Sequence, residues 1–226
     1  MDMPTPDTPP EAYLPRSAYT TARVAADPKI NGLEQPLDAK HQELKLALRE
    51  RDDLLELLQK KSALFDVADT HCDDDITGFE LHLLGAVRKN RDNPKYRRYF
   101  ATGVRDVTTA EPRQEEPEVV SDMLTAMAED KNDPEIGSVV TQWQPKLSAS
   151  RGNVVATDAD LTATEKALAY LEEKKIPALL ASWREEYKKL EGALTTAYPN
   201  DPKRVARCFK PFRKKRKPAK DATSNT

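Results

Sequence analysis

Leu37, Leu44, Leu48, Leu55, Leu58 and Phe65 recur at spacings of three, four and seven. That periodicity constrains the chain more than any other feature, because it returns apolar side chains to one face only on a helix of 3.6 residues per turn. It predicts a first long helix over Leu37 to Ala68. Leu46, Leu54, Leu57 and Leu64 are expected to widen the apolar stripe, and Arg51 and Ser62 interrupt the seam.

Beyond it lies DTHCDDD, residues 69–75. Asp69 or Thr70 suits the cap of a second helix, with Asp73, Asp74 and Asp75 at its positive end. The alternative is that the chain runs straight through with a bend. Ile76, Phe79, Leu83, Leu84 and Val87 form the second stripe, and Asn93-Pro94 breaks it. A third helix is predicted from Pro117, through Val120, Met123, Leu124 and Met127. Asp133-Pro134 forms a further cap in it, and Ile136, Val139, Val140, Trp143 and Leu147 continue the pattern. Residues 148–157 read as a loop. A fourth helix opens at Asp158 or Asp160 and is kinked by Pro177, whose ring meets the carbonyl four residues back. Tyr198-Pro199-Asn200-Asp201-Pro202 stops it. Trp143, Trp183, Tyr170 and Tyr187 are expected to fill the core and seams.

These segments predict an all-α fold, an antiparallel four-helix bundle built from two αα-hairpins. The hairpins are placed at about 37–100 and 117–198, with a linker over 101–116, so that 37–202 is one helical bundle. Seven glycines and 6% aromatic residues argue against a β-sandwich or barrel, which needs many tight turns. Residues 1–36 carry Pro4, Pro6, Pro9, Pro10 and Pro15 and are expected to form an extended Pro-rich N-terminal arm. Residues 203–226 form a basic C-terminal tail. Each expected hairpin ends alike, in Asn93-Pro94-Lys95…Phe100 and in Asp201-Pro202-Lys203…Phe209. This likeness is suggestive of an internal duplication, although the match is short and needs a one-residue gap, and coincidental helix-stop chemistry accounts for it as well.

The net charge of −2 hides an asymmetry. Residues 203–226 hold ten Lys/Arg and one acid, a net of +9, whereas residues 1–202 hold 26 Lys/Arg and 37 Asp/Glu, a net of −11. The expected contact residues are Lys210, Arg213, Lys214, Lys215, Arg216 and Lys217. Several phosphates would be neutralised by such a run. An acidic protein, a membrane surface or the chain's own acidic body would satisfy it equally, and no nucleic-acid recognition motif accompanies it.

Enzymatic chemistry finds little footing. Glycine-rich phosphate loops and nucleophile-elbow motifs are missing from the sequence, and no cofactor is expected. His71 and Asp75, four apart on one helical face, are the weak candidates for a metal ion, with His41 approaching from the first helix. Helical bundles that hold metals use Glu-x-x-His pairs, which this sequence lacks. His82 stands eleven residues on, about 16 Å along a helix axis. Cys72 and Cys208 form no CxxC pair, and the carboxylates around Cys72 are expected to keep its thiol protonated. Glu80 falls within an apolar stripe and needs a partner, for which Arg51 is the candidate.

No apolar run reaches the ~18 residues of a membrane span, and the N-terminus lacks the basic and apolar parts of a secretory signal. A cytoplasmic, non-enzymatic structural or interaction protein is therefore expected, an adaptor, scaffold or assembly subunit contacting a protein partner or its own copies. The first alternative is a nucleic-acid-associated protein using the basic tail; the second is a metal- or ligand-binding bundle.

Overall fold

The computed structural model describes residues 3–5 and 7–212. Among them all regular structure is helical, with no strand. A 3-10 turn at Pro10–Ala12 precedes α1 (Leu14–Ala25). Then follow α2 (Gln35–Ala86), the short α3 (Pro94–Arg97) and α4 (Val104–Thr108), α5 (Glu115–Asp130) and α6 (Gly137–Tyr170). A π-helical turn at Leu171–Lys175 leads into α7 (Ile176–Ala197), and α8 (Pro202–Arg207) is last.

The all-α expectation holds, while the two expected hairpin turns are absent. Residues 69–75 lie inside α2, where Ala68, Cys72, Ile76 and Phe79 carry the buried seam onward at helical spacing. The Thr70 hydroxyl donates back to the Asp66 carbonyl at 2.9 Å instead of capping a new helix. Residues 148–157 are helical as well. Their Ser and Thr composition suggested a loop, yet Leu147, Ser150, Val154 and Leu161 keep one buried face. Ser150 and Thr157 satisfy their hydroxyls on the carbonyls of Lys146 and Asn153. The first expected hairpin thus has α2 running through its turn, and in the second the break falls at 131–136, between α5 and α6, instead of at 148–157. The N-terminal segment is not extended throughout, since α1 occupies Leu14–Ala25 with Pro15 in its first turn, where a missing N–H costs nothing. Leu46 and Leu64 do not widen the buried stripe; they are exposed, as is Tyr170.

The chain divides into two compact units. The first comprises the described residues of Met1–Asp53 and Leu168–Thr226. Within it, Glu11 pairs with Arg51 at 2.7 Å and Ser17 with His41 at 2.7 Å, so α1 runs antiparallel to the first part of α2. Tyr13 meets Arg184, and Asp27 meets Tyr198. Both pairs are separated by 171 residues, so α1 and α7 run parallel.

The second unit is Leu54–Ala167. Here Lys61 pairs with Asp160 and the rings of His82 and Trp143 lie 5.1 Å apart, which sets α2 antiparallel to α6. Arg151 Nε donates to the Pro117 carbonyl at 2.7 Å, on the face of α6 turned to α5. Each unit therefore packs three helices around its own core. Gly78 is essential to the second core, because a Cβ there would stand inside the van der Waals envelope of the Trp143 ring.

The burial pattern of the chain repeats. Tyr13, Ser17, Thr20, Val24, Leu37, Leu44 and Ala47 are buried, and so are the residues 103 positions on: Glu116, Val120, Met123, Met127, Val140, Leu147 and Ser150. Phe65, Cys72, Ile76, Phe79, Leu83 and Val87 recur 111 positions on, as Ile176, Trp183, Tyr187, Leu190, Leu194 and Tyr198. The offset grows by eight. About seven residues make two α-helical turns and keep the face, and the π turn at Leu171–Lys175 absorbs the extra one. That turn also lies just ahead of Pro177, in the position where the kink was expected. Both copies close on capped prolines: Asn93 accepts from Lys95 N and Asp201 from Arg204 N, each at 2.9 Å. The duplication suggested by those motifs thus extends over most of the helical chain. Each unit takes its short helix and the start of a long helix from one copy, and the end of a long helix from the other.

A tyrosine–aspartate bond ties each unit together behind its short helix. Tyr198 Oη donates to Asp27, and Tyr99 Oη to Asp130, both at 2.7 Å. Asp27 also receives Arg204 at 2.7 Å. The Tyr198 hydrogen bond, followed by that of Arg204, holds the Asp27 carboxyl down at about 2. A carboxylate held below its unfolded value stabilises the fold above the ordinary carboxylate range and loses that contribution as the proton returns. Two outcomes are expected. Gly78→Ala should lower stability by about 1–3 kcal/mol, as overpacking of a filled core does, read by urea unfolding. Between pH 4 and pH 2 the wild type should lose stability more steeply than Asp27→Asn, read by thermal unfolding across that range.

Candidate partner-binding site

The expected contact residues Arg213, Lys214, Lys215, Arg216 and Lys217 lie outside the described residues. The segment that leads to them is described and is fixed in the first unit. Phe209 is buried, with its ring 5.0 Å from Tyr187 at a T-shaped angle. Phe212 stands edge-on to Tyr13 at 5.6 Å and to Trp183 at 6.1 Å. Trp183 in turn stacks on Tyr187 at 4.4 Å. Such offset and edge contacts add to simple area burial.

Polar groups lock the same segment. The Arg16 guanidinium lies 4.6 Å above the Phe212 ring and donates to the Phe212 carbonyl at 3.2 Å. Tyr19 Oη donates to the Arg207 carbonyl at 3.3 Å. Lys210, the one expected contact residue described, holds its ammonium 6.0 Å from the Tyr19 ring. Phe209 and Phe212 thus anchor the segment that leads to the basic run.

Two surface cavities flank this anchor. One, of about 510 Å³, is walled by Tyr198, Pro199, Pro202, Val205 and Phe209, with Lys210 on its edge. The other, of about 540 Å³, is lined by Arg23, Arg204 and Arg207 together with Asp27 and Asp201. The anchored segment thus combines an apolar recess, a cluster of guanidinium groups and the start of the basic run.

The other sequence candidates are not brought together. His71 is exposed and Asp75 half-buried in the second unit. His41 belongs to the first unit, buried, with its Nδ1 engaged by Ser17. Burial lowers the His41 pKa and so favours the neutral ring. No group of three or more metal-ligating side chains occurs among the described residues.

Glu80 is buried, but its partner is not Arg51. Tyr96 Oη donates to it at 2.8 Å and Arg91 at 3.3 Å, while Arg51 is held by Glu11 and Asp52. The continuous course of α2 puts Arg51 and Glu80 in different units, which a turn at 69–75 would have hidden. Trp143, Trp183 and Tyr187 are buried as expected. No described helix is long and apolar enough to cross a membrane.

One cluster escaped the sequence reading. Cys72 is buried in the second unit beside Glu116 and Ser150, with burial first and Glu116 second in raising its thiol to about 12. That leaves it inert as a nucleophile. Glu116 is only 2% exposed and lies beside Asp69 and Asp73. It had been counted with the linker, and the only signal that would have found it is the repeat offset, which puts Glu116 where the other copy has Tyr13.

Replacing Phe209 by Ala should cost the first unit about 3 kcal/mol, as truncation of a buried phenyl ring does. Phe212→Ala, which removes a half-buried ring, should cost less; urea unfolding followed by tryptophan fluorescence ranks the two. Comparison with protein families, curated sequences and solved structures finds no match to this chain.

Proposed function

We propose that this chain is a non-enzymatic helical adaptor that presents its basic C-terminal segment to an acidic protein partner. The observation that carries this reading is the anchoring of residues 208–212: Phe209 and Phe212 sit against Tyr13, Trp183 and Tyr187, and Arg16 clasps the last carbonyl before the basic run. A segment fixed at its root loses less freedom on binding than a free tail, so more of the contact energy appears as affinity. The apolar recess beside Phe209 favours a peptide over a nucleic acid, since it can seat a hydrophobic side chain between charged contacts. Helix faces offer a further surface: Leu46, Leu57, Leu64 and Val67 fall on one exposed side of α2.

Arg23, Arg204 and Arg207 in the neighbouring cavity favour a second reading, in which the same end of the first unit grips phosphates as a nucleic-acid-associated protein. Fluorescence anisotropy separates the two. The probes are a labelled oligo-glutamate peptide with one phenylalanine, the same peptide without it, and a duplex DNA. The titrants are the full chain and a chain ending at Phe212. Adaptor function predicts loss of peptide binding on truncation, and about tenfold weaker binding when the phenylalanine is removed, the worth of a well-seated apolar side chain. Duplex binding that exceeds peptide binding and collapses between about 50 and 200 mM salt marks the nucleic-acid reading. If the shortened chain binds the peptides as well as the full one, the adaptor reading fails; if neither chain binds the duplex, the nucleic-acid reading fails.

A further inference from the structure

A buried carboxyl group needs a cation or a proton, and the second unit sets one, Glu116, beside two half-buried aspartates. Glu116, on α5, is 2% exposed, and its Oε1 has no hydrogen-bond partner. From α2, Asp69 and Asp73 face it, each with one buried oxygen likewise unpartnered, and Cys72 lies between them. From α6, Ser150 reaches Cys72. Asp74 acts on Asp73 from the outside of α2. The nearby cations are committed elsewhere: Arg151 Nε to the Pro117 carbonyl, and Arg113 to Asp158 and Glu165. Asp69 and Asp73 both act on Glu116 as like charges, which favours its protonated form.

The first unit supplies the comparison. Its residues at the equivalent positions are Tyr13 for Glu116, Trp183 for Cys72 and Arg184 for Asp73. There Tyr13 and Trp183 meet edge-to-face at 4.9 Å, and Arg184 Nε donates to the Tyr13 hydroxyl at 3.0 Å. The same place in the fold is thus filled once by an aromatic pair closed with a guanidinium, and once by acids around a thiol. Packing does not require the acids.

We propose that the Asp69–Asp73–Glu116 cluster is a proton-binding device, which holds α5 against α2 when protonated and loosens that contact when it ionises. Burial, with Asp69 and Asp73 adding to it, raises the Glu116 carboxyl to about 7; burial, then Asp69 and Asp74, raises Asp73 to about 6. A carboxyl raised in the folded state binds its proton more tightly there than in the unfolded chain. The contribution of these two groups to the second unit is therefore fully present below about pH 4, where both states are protonated, and is lost as pH rises to about 7. The physiological range lies at the upper edge of the transition.

Hydrogen exchange on the full chain tests this at pH 5.5 and pH 8.0, with intrinsic exchange rates divided out. Peptides covering 66–76 and 115–124 report the cluster, and peptides from α1 serve as the reference. Protection of the two cluster peptides, relative to α1, should fall by more than about tenfold from the lower to the higher pH, one pKa unit being worth a factor of ten. Glu116→Gln keeps the shape and offers Asp69 a donor without titrating. It should raise protection at pH 8.0 and reduce the pH effect to less than about threefold on the same scale. Should that variant not fold, Asp73→Asn gives the same reading, with a smaller reduction. An equal pH effect in wild type and variant, or none in wild type, overturns the proposal.

Discussion

Every other feature depends on two apolar seams, each running along one unbroken stretch of helix. Neither seam serves a single partner. On α2, Leu37, Leu44 and Leu48 are buried in the first unit, and Phe65, Cys72, Ile76, Phe79 and Leu83 in the second. Between Leu48 and Phe65 no residue of α2 is fully buried. The boundary between the units falls in this interval, at Asp53 and Leu54. A helix whose seam lapses for several turns is still a helix, because its backbone bonds are internal. Its packing energy is divided between two cores.

The same division explains what the sequence shows and hides. The 3–4–7 spacing of Leu37 to Phe65 reports helicity, which is as expected, and the buried face, which holds at Leu37, Leu44, Leu48 and Phe65 but not at the exposed Leu55 or the half-buried Leu58. It says nothing about which helix covers that face. Stop signals are read from polar composition, and here composition misleads. The acidic run 73–75 and the Ser/Ala/Gly run 148–152 resemble a cap and a loop, yet Cys72, Ile76, Ser150 and Val154 keep the buried period across them. Asn93-Pro94, Asp133-Pro134 and Asp201-Pro202 were legible because proline removes a donor and the preceding side chain accepts a bond. The aromatic anchor of the tail was less legible. Phe209 and Phe212 announce contact with something flat or apolar, but only the fold reveals that this is Tyr13, Trp183 and Tyr187 from distant parts of the chain.

Duplication makes the two units comparable position by position, and the differences are informative because the framework is constant. Asp27 and Asp130 occupy corresponding places, and each receives a tyrosine hydroxyl. The tyrosines do not correspond: Tyr198 is the counterpart of Val87, whereas Tyr99 lies beyond Asn93-Pro94. A donor to the half-buried carboxylate at the end of the short helix has been supplied from two different points of the chain. Positions 13 and 116 show the opposite. There the framework is kept and the chemistry is not, so a requirement of packing cannot explain the acid.

The aromatic cluster in the first unit also bears on why the basic segment starts where it does. A run of cations on an otherwise acidic chain is drawn to the chain's own surface, and an unfixed tail would spend its charge there. The charged groups lining the two cavities beside the anchor are Arg23, Arg204, Arg207 and Lys210, with Asp27, Asp201 and Glu191, and Asp27 is already occupied by Tyr198 and Arg204. The aromatic packing that stabilises the first unit and the cations beside the proposed partner surface therefore belong to one short stretch of structure, in which Arg16 on the Phe212 ring joins the two.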